Sequence, residues 1–159
     1  MKKFVVAGTA LVVLATAILI TIPFRAPYLV LYNDNSGAIL LSHRADDGET
    51  FAIEYIHSVN KSPVTEFYQI REQQIWLTAL EFYTFGAGMP TELEPGQELV
   101  RLQSGALRIE GYDRDVTDLR YLVGHAADIT LKIGAQRVHL DTLAEAGQSV
   151  RFEINQLSL

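Results

Sequence analysis

The chain has 159 residues, of which 48% are apolar and 20% are charged, and it contains no cysteine. This composition excludes a disordered tail and a polytopic membrane protein, and the lack of cysteine excludes disulfides, thiolate metal sites and cysteine nucleophiles. Three of the 13 basic residues lie at or before Arg25, which leaves 10 basic against 19 acidic residues after it, so we expect no binding to nucleic acid.

The first 25 residues have a different composition from the rest of the chain. Residues 4–22 carry no charge, and a helix of that length rises to about 28 Å, close to the ~30 Å hydrocarbon thickness of a bilayer. Lys2 and Lys3 outweigh Arg25, which predicts that the start stays in the cytoplasm and the rest is exported. We predict an N-terminal segment at 1–25 with one transmembrane helix, and an exported domain at 26–159.

A cleavable signal peptide is the alternative interpretation of this segment. Ala15 and Ala17 flank Thr16 in the small-residue pattern that signal peptidase recognises. Cleavage there would leave an apolar new terminus, which favours the uncleaved anchor. Both interpretations export the domain: it is single-pass in the cytoplasmic membrane with its C-terminal domain in the periplasm, or secreted if the segment is cut.

After Arg25 the apolar pattern changes to a period of two, which is typical of half-buried strands. Turn-forming residues separate most of these runs. The predicted fold is all-β, an antiparallel sandwich or small barrel of about ten short strands. Residues 116–123 are the one candidate for a short helix. The predicted strands are 28–32, 38–41, 50–57, 64–70, 74–82, 98–102, 107–112, 129–133, 138–140 and 150–154.

Tyr55, His57, Ser58 and Glu66 form the first group of candidate site residues. Tyr55 and His57 share the more apolar face of one predicted strand, and Glu66 lies among apolar neighbours on the next strand. If the two strands form a hairpin that pairs Tyr55 with Glu66, His57 lies diagonal to Glu66 with Cβ atoms ~5.5–8 Å apart. An acid in such a place needs a partner, and His57, Tyr68 or Lys61 are candidates.

This group has three interpretations: a satisfied structural cluster, a ligand or partner site, or a catalytic site. Catalysis would use Ser58 as a nucleophile beside His57 and Glu66. Adjacent residues of a strand point to opposite faces, which places Ser58 and His57 badly for that role. We therefore predict that the protein is not an enzyme, and the other two interpretations stay open.

Four histidines are the remaining candidates for metal binding. None forms a pair with ligand spacing, and His125 with Asp128 provides only two residues of a loop site. We expect neither a metal site nor a cofactor.

The second group of candidate residues is a glycine-rich stretch at residues 85–90. Gly86 and Gly88 predict positive φ angles or a close backbone approach in a loop, and Pro90 stiffens its exit. The stretch has no Lys-Ser/Thr pair and no following helix, which excludes a phosphate-binding loop. A purely structural loop and a docking loop both remain open.

These two stretches together resemble domain-of-unknown-function family 1850. The resemblance rests on Tyr55, the run from His57 to Val59, Pro63, Glu66 and the Phe-Gly-Ala-Gly-Met-Pro segment at 85–90, and it covers about residues 28–140. Met89 stands where an aliphatic residue is expected. The resemblance implies a small bacterial protein encoded beside permeases of TAXI-type tripartite ATP-independent periplasmic (TRAP) transporters.

The leading functional prediction is a non-enzymatic accessory of a TAXI-type TRAP transporter. Its expected partners are the transporter permease or the periplasmic solute-binding protein, with the N-terminal helix in the membrane. Contacts are expected at the loop of His57 and Ser58 or at the loop of Gly86 and Gly88. The alternative is a periplasmic sensor that binds a ligand or a metal through a cluster of His57 and Glu66.

Overall fold

The computed structural model describes residues 25–158 apart from 87, 117 and 125–127. Residues 27–155 form one compact unit. The predicted N-terminal transmembrane helix lies outside the described residues. Within the described part of the chain, no helix has the length and apolar character needed to cross a bilayer.

The described residues form eleven β-strands and one short 3-10 helix at Leu140–Thr142, so the predicted all-β class is confirmed. Each of the ten predicted strands has an observed counterpart. The strands are β1 Arg25–Asn33, β2 Ile39–Arg44, β3 Thr50–Ile56, β4 Pro63–Arg71, β5 Gln74–Phe82, β6 Glu98–Arg101, β7 Leu107–Asp115, β8 Arg120–Leu122, β9 Thr130–Ile133, β10 Gln136–His139 and β11 Ser149–Ser158.

The strands form two sheets, which makes the fold a β-sandwich rather than a closed barrel. The smaller sheet has the order β2-β1-β11-β8, and the larger has the order β10-β9-β3-β4-β5-β7-β6. The hairpin of β3 and β4 lies at the middle of the larger sheet. Its neighbours are β9 beside β3 and β5 beside β4, and both pairings are antiparallel. The stretch that carries the first group of candidate residues is therefore central to the fold.

The main core lies between the two sheets and is built from the alternating strand positions. Phe51 of β3 stacks on Phe152 of β11 with ring centroids 6.3 Å apart, and Leu29 of β1 is fully buried in the same cluster. Each fully buried side chain of this size contributes about 1.5–3 kcal/mol through removal of apolar surface from water. The period of two in the sequence thus corresponds to one continuous buried layer.

A second, smaller core covers the part of the larger sheet formed by β4, β5 and β7. The connection from β5 to β6, residues 83–97, folds over this part and inserts Met89 between Phe82 and Ile109 and their buried neighbours. Gly111 of β7 lets the connection approach closely, since a Cβ there would lie 2.2 Å from the backbone oxygen of Gly96. The glycine-rich stretch is therefore part of a loop that packs on the sheet.

The prediction of a short helix at residues 116–123 is wrong. Residues 120–122 form β8, which pairs with β11 at the edge of the smaller sheet. Leu119 and Val123 are buried and Arg120 and Leu122 are exposed, which is the alternation of a strand. The exposed apolar side chain of Leu122 hides this alternation when the sequence alone is considered.

The predicted register of the β3–β4 hairpin differs from the structure by two residues. Tyr55 pairs with Val64, and Glu66 pairs with Ile53. The hairpin stays closed beyond the ends of the two strands, because the His57 amide donates to the Ser62 carbonyl at 3.0 Å. A shift by two residues keeps every side chain on its predicted face but moves His57 two residue pairs farther from Glu66.

Candidate functional site

Four polar side chains meet in the interior and form what we call the tyrosine cluster: Glu66, Tyr55, Tyr68 and Tyr121. The Tyr55 hydroxyl donates to Glu66 Oε1 at 3.2 Å, and the Tyr68 hydroxyl donates to Glu66 Oε2 at 2.7 Å. The Tyr121 hydroxyl also donates to Glu66 Oε2 and lies 2.8 Å from the Tyr68 hydroxyl. One carboxylate thus organises three aromatic side chains.

The strand geometry explains this arrangement. Glu66 and Tyr68 are two residues apart on β4 and point to the same face, and Tyr55 lies on β3 diagonally across from Glu66. Tyr121 comes from β8 in the other sheet. The cluster therefore joins the two sheets through hydrogen bonds at a place where the rest of the interior is apolar.

The tyrosine cluster lies at the border of the two hydrophobic cores. Tyr55 and Leu77 pack against both cores, and Tyr68 belongs to the main core with 3% of its surface exposed. Burial raises the pKa of Tyr68 and of Tyr121, and the nearby charge of Glu66 raises both further. Burial and then Glu66 raise the pKa of Tyr55 in the same way. The three hydroxyls therefore remain neutral donors well above pH 10.

A cleft of about 660 Å³ opens beside the cluster. Its lining combines the polar atoms of the cluster with the apolar side chains of Leu77, Val116 and Leu119. Arg114 and Arg120 lie at the same cleft. The remaining lining residues are Glu66, Tyr68, Tyr121, Asp115 and Asp118. Five of the ten lining residues are charged and three are aliphatic, so the cleft suits a small molecule that has both a polar and an apolar part.

His57 has a different environment from Glu66. Its Nδ1 atom accepts hydrogen bonds from the backbone amides of Val59 and Asn60, each at 3.2 Å, and its carbonyl accepts from the Lys61 amide at 2.9 Å. The imidazole therefore fixes the shape of the β3–β4 loop, residues 57–62. This structural role accounts for a histidine at the end of β3 and requires no bound ligand.

The β3–β4 loop and the glycine-rich stretch lie against each other. Asn60 Nδ2 donates to the Thr84 carbonyl at 3.5 Å, and a Cβ on Gly86 would lie 2.5 Å from Asn60 Oδ1. Gly88 has φ +84°, and a Cβ there would lie 3.5 Å from His57 Nε2. Gly86 thus provides the close approach between the two loops, and Gly88 provides a positive φ that favours glycine.

Three apolar side chains protrude from this pair of loops. Val59 is 64% exposed, Phe85 53% and Tyr83 43%. Phe85 is held by an edge-to-face contact with the buried ring of Phe82, with centroids 5.1 Å apart. We call the outer side of residues 57–62, 83–86 and 88–90 the loop surface, with these three side chains as its apolar members.

The six residues predicted for a site thus fall into two places. Tyr55 and Glu66 belong to the tyrosine cluster. His57, Gly86 and Gly88 belong to the loop surface, where Ser58 is also exposed. Sequence reasoning named Tyr68 as a partner of Glu66 and missed Tyr121 and Asn60. An aromatic residue on a separate predicted element gave no signal of its contact with Glu66.

Two further histidines, His43 and His139, each contact a single acid. His43 Nε2 lies 2.9 Å from Glu49 Oε1, and His139 Nδ1 lies 3.2 Å from Asp128 Oδ1. Among the described residues, no group of three or more histidine, aspartate or glutamate side chains has the arrangement that would hold a metal ion. His125 lies outside the described residues.

Comparison with known proteins gives one match. The family model described as "Domain of unknown function (DUF1850)" matches residues 51–140, which span β3 to the start of the 3-10 helix and include both candidate places. Neither a search of curated proteins nor a search of solved structures gives a significant match. Because the family model matches more than half of the chain, the protein belongs to the family of domain of unknown function 1850.

Proposed function

We propose that the protein is a non-enzymatic accessory of a TAXI-type TRAP transporter and that it contacts the transporter through the loop surface. The observation that carries the proposal is the packing of the two loops against each other. The two stretches on which the family resemblance rests, at His57 and at Gly86, form a single surface with protruding apolar side chains.

The loop surface has the properties of a protein-docking site. Val59 and Phe85 are exposed in spite of their apolar character, and burying each against a partner would contribute about 1.5–3 kcal/mol. The hydrogen bonds of His57 and the contact of Asn60 with Gly86 hold the loops in one arrangement before binding. A preformed surface loses little conformational entropy on association.

Of the two expected partners, we take the periplasmic solute-binding protein as the one that docks at the loop surface, with the permease as the alternative.

Site-specific crosslinking in cells tests this proposal. The chain has no cysteine, so Val59→Cys introduces a single thiol on the loop surface. Gln74→Cys introduces one at the exposed β4–β5 turn at the opposite end and is the matched control. With a thiol-reactive photocrosslinker, we expect adducts with the solute-binding protein from Val59→Cys and none from Gln74→Cys.

The outcomes separate the parts of the proposal. Adducts of Val59→Cys with the permease would keep the accessory function but replace the solute-binding protein as the partner. Equal adducts from both positions, or none from Val59→Cys, would overturn docking at the loop surface. Replacing Phe85 with serine in the Val59→Cys variant should abolish the adducts, because it removes the largest apolar contact.

A ligand-binding sensor is the second candidate function. The structure separates His57 from the tyrosine cluster, and the cleft beside Glu66 is the observation that favours ligand binding there. Such a function predicts a ligand-dependent rise in thermal stability. The dependence is expected on Glu66 rather than on His57, and a Glu66→Gln variant compared with His57→Ala measures this difference.

A further inference from the structure

Glu66 differs in its partners from two other half-buried carboxylates, Glu54 and Glu49. Glu54 contacts Lys132 Nζ at 2.6 Å, and Glu49 contacts His43 at 2.9 Å. Among the described residues, no cationic side chain lies within 4.0 Å of Glu66, and its three hydrogen-bond partners are hydroxyls. A half-buried carboxylate with hydroxyl partners alone creates a negative potential that a cation would stabilise.

The arginines at the cleft do not provide that cation, because acids already pair with them. Arg114 contacts Glu94 at 2.9 Å, and Arg120 contacts Asp34 at 3.2 Å and Asp118 at 3.3 Å. The lining contains three acids, Glu66, Asp115 and Asp118, and two arginines. The cleft is therefore net negative, in a described domain that is itself acidic.

The tyrosine cluster leaves room for a further donor on Glu66. A carboxylate offers about four acceptor positions, and three of them are taken by the hydroxyls of Tyr55, Tyr68 and Tyr121. Aromatic faces attract cations as well, by about 0.5–2 kcal/mol depending on exposure. The remaining acceptor position lies on Oε1, and it matches an N–H of a positively charged ammonium group.

The rest of the cleft indicates the body of the ligand. A volume of about 660 Å³ falls within the range of about 300–1,000 Å³ that small-molecule sites occupy. Leu77, Val116 and Leu119 provide apolar walls next to the cluster. The cleft thus combines an apolar wall with a single uncompensated negative group.

We propose that this cleft binds a small organic amine, with the ammonium group on Glu66 and an aromatic or aliphatic body against Leu77 and Leu119. The inference rests on the ligand-binding candidate function and is independent of docking at the loop surface. It names a ligand class, the protonated amines, and it excludes carboxylates of the same size from the site.

Calorimetric titration of the full-length protein at pH 7 with matched probes tests the inference. The aromatic probes are 2-phenylethylamine, 2-phenylethanol and 3-phenylpropionate, which share a ring and differ in charge. Hexylamine and hexanoate form the aliphatic pair. We expect the amines to bind at least tenfold more tightly than the alcohol and the acids.

Two variants locate the binding. Glu66→Gln keeps the shape and removes the charge, so amine affinity should fall at least tenfold, whereas Glu98→Gln on the exposed edge strand should leave it unchanged. Asp118→Lys changes an exposed residue at the cleft and should lower amine affinity about threefold or more without affecting the cluster. This second variant keeps the test valid if Glu66→Gln folds poorly.

The negative results of the titrations contradict different parts of the inference. Binding of the alcohol or the acids as tight as that of the amines would overturn the amine class and leave the ligand-binding function standing. No binding of any probe would overturn both. Amine binding that neither Glu66→Gln nor Asp118→Lys changes would place it outside this cleft and also overturn the inference.

Discussion

The loop surface and the tyrosine cluster both include residues of the β3–β4 hairpin, yet their polar groups have opposite roles. At the loop surface, polar groups such as the His57 ring and the Asn60 amide hold the backbone while Val59 and Phe85 remain in water. In the tyrosine cluster, the polar groups themselves are taken into the interior, and Glu66 satisfies the buried hydroxyls.

This difference indicates how each region contributes to function. Contacts between neighbouring loops are short in range and leave the outer side available to a partner. The cluster depends on Tyr121 from the other sheet, so it couples the cleft to the packing of the whole sandwich. We therefore expect changes in the cluster to affect stability more than changes at the contact of the two loops.

The largest loss of stability is expected at Gly111, where the connection from β5 to β6 packs on β7. Gly111→Ala puts a Cβ 2.2 Å from the Gly96 carbonyl oxygen at a φ of +82°, and a backbone atom cannot move aside easily. We expect the free energy of unfolding to fall by about 3 kcal/mol or more. Urea denaturation measures the loss.

Gly105→Ala is the control for this prediction. Gly105 has a similar φ of +87°, but a Cβ there meets nothing within 4 Å, so only the backbone strain of about 1 kcal/mol remains. Equal losses in the two variants would show that residues 83–97 do not pack on β7 through Gly111, and the loop surface would lose its support.

The second effect concerns the centre of the cluster. Glu66→Ala removes the carboxylate that accepts hydrogen bonds from three hydroxyls. The hydroxyl of Tyr68, a residue that is only 3% exposed, then has no carboxylate partner. We expect a loss of about 3 kcal/mol in the free energy of unfolding. Glu98→Ala on the exposed edge strand should change it by less than about 0.5 kcal/mol. A small loss at Glu66 would mean that the cluster contributes little to joining the sheets.

The strands and the two loops could be predicted from the sequence. The period of two predicted the strands around Phe51 and Phe152, because a β-strand places alternating apolar residues on one buried face. The family resemblance identified the two loops, and the structure brings them together at Gly86 and Asn60. The transporter association and the membrane anchor remain predictions.

What the sequence did not predict depends on distances that no local pattern encodes. The hairpin register depends on how the turn closes at His57 and Ser62, and several loop lengths fit the same alternation. The contact between Glu66 and Tyr121 joins residues 55 positions apart on different sheets. Only the packing of the two sheets brings Glu66 and Tyr121 together. The sequence therefore indicated Tyr55, Glu66 and Tyr68 as members of the cluster but not Tyr121.

Alkaline pH offers a third way to distinguish the two regions. Burial and the charge of Glu66 raise the pKa of Tyr68, and burial together with Tyr68 and Glu66 raises that of Tyr121. Above pH 10 these tyrosines ionise in the unfolded chain and stay protonated in the folded one, so stability is full below pH 10 and falls as the pH rises further. The expected slope is about 1.4 kcal/mol per pH unit for each such tyrosine.

Denaturation at pH 9, 10 and 11 measures this slope. Tyr68→Phe should lower the slope by about one tyrosine's contribution. If the variant and the parent lose stability equally above pH 10, the raised pKa of Tyr68 is not coupled to folding, and the cluster differs less from the loop surface than the structure indicates.

The smallest effect is expected where the two loops meet. Gly86→Ala places a Cβ 2.5 Å from Asn60 Oδ1, but this atom belongs to a side chain that can move at the cost of its bond to the Thr84 carbonyl. We expect a loss of about 1 kcal/mol in the free energy of unfolding. Gly124→Ala, where a Cβ meets nothing within 4 Å, should be nearly neutral.

A double-mutant cycle identifies the source of that loss. Asn60→Ala removes the clashing atoms, so adding Gly86→Ala to it should cost less than Gly86→Ala alone, with a coupling of about 0.5 kcal/mol or more. Additive effects would mean that the two loops do not touch at these residues. Because the loop surface exists only if they do touch, additivity would leave Val59 and Phe85 as two separate exposed side chains rather than one docking site.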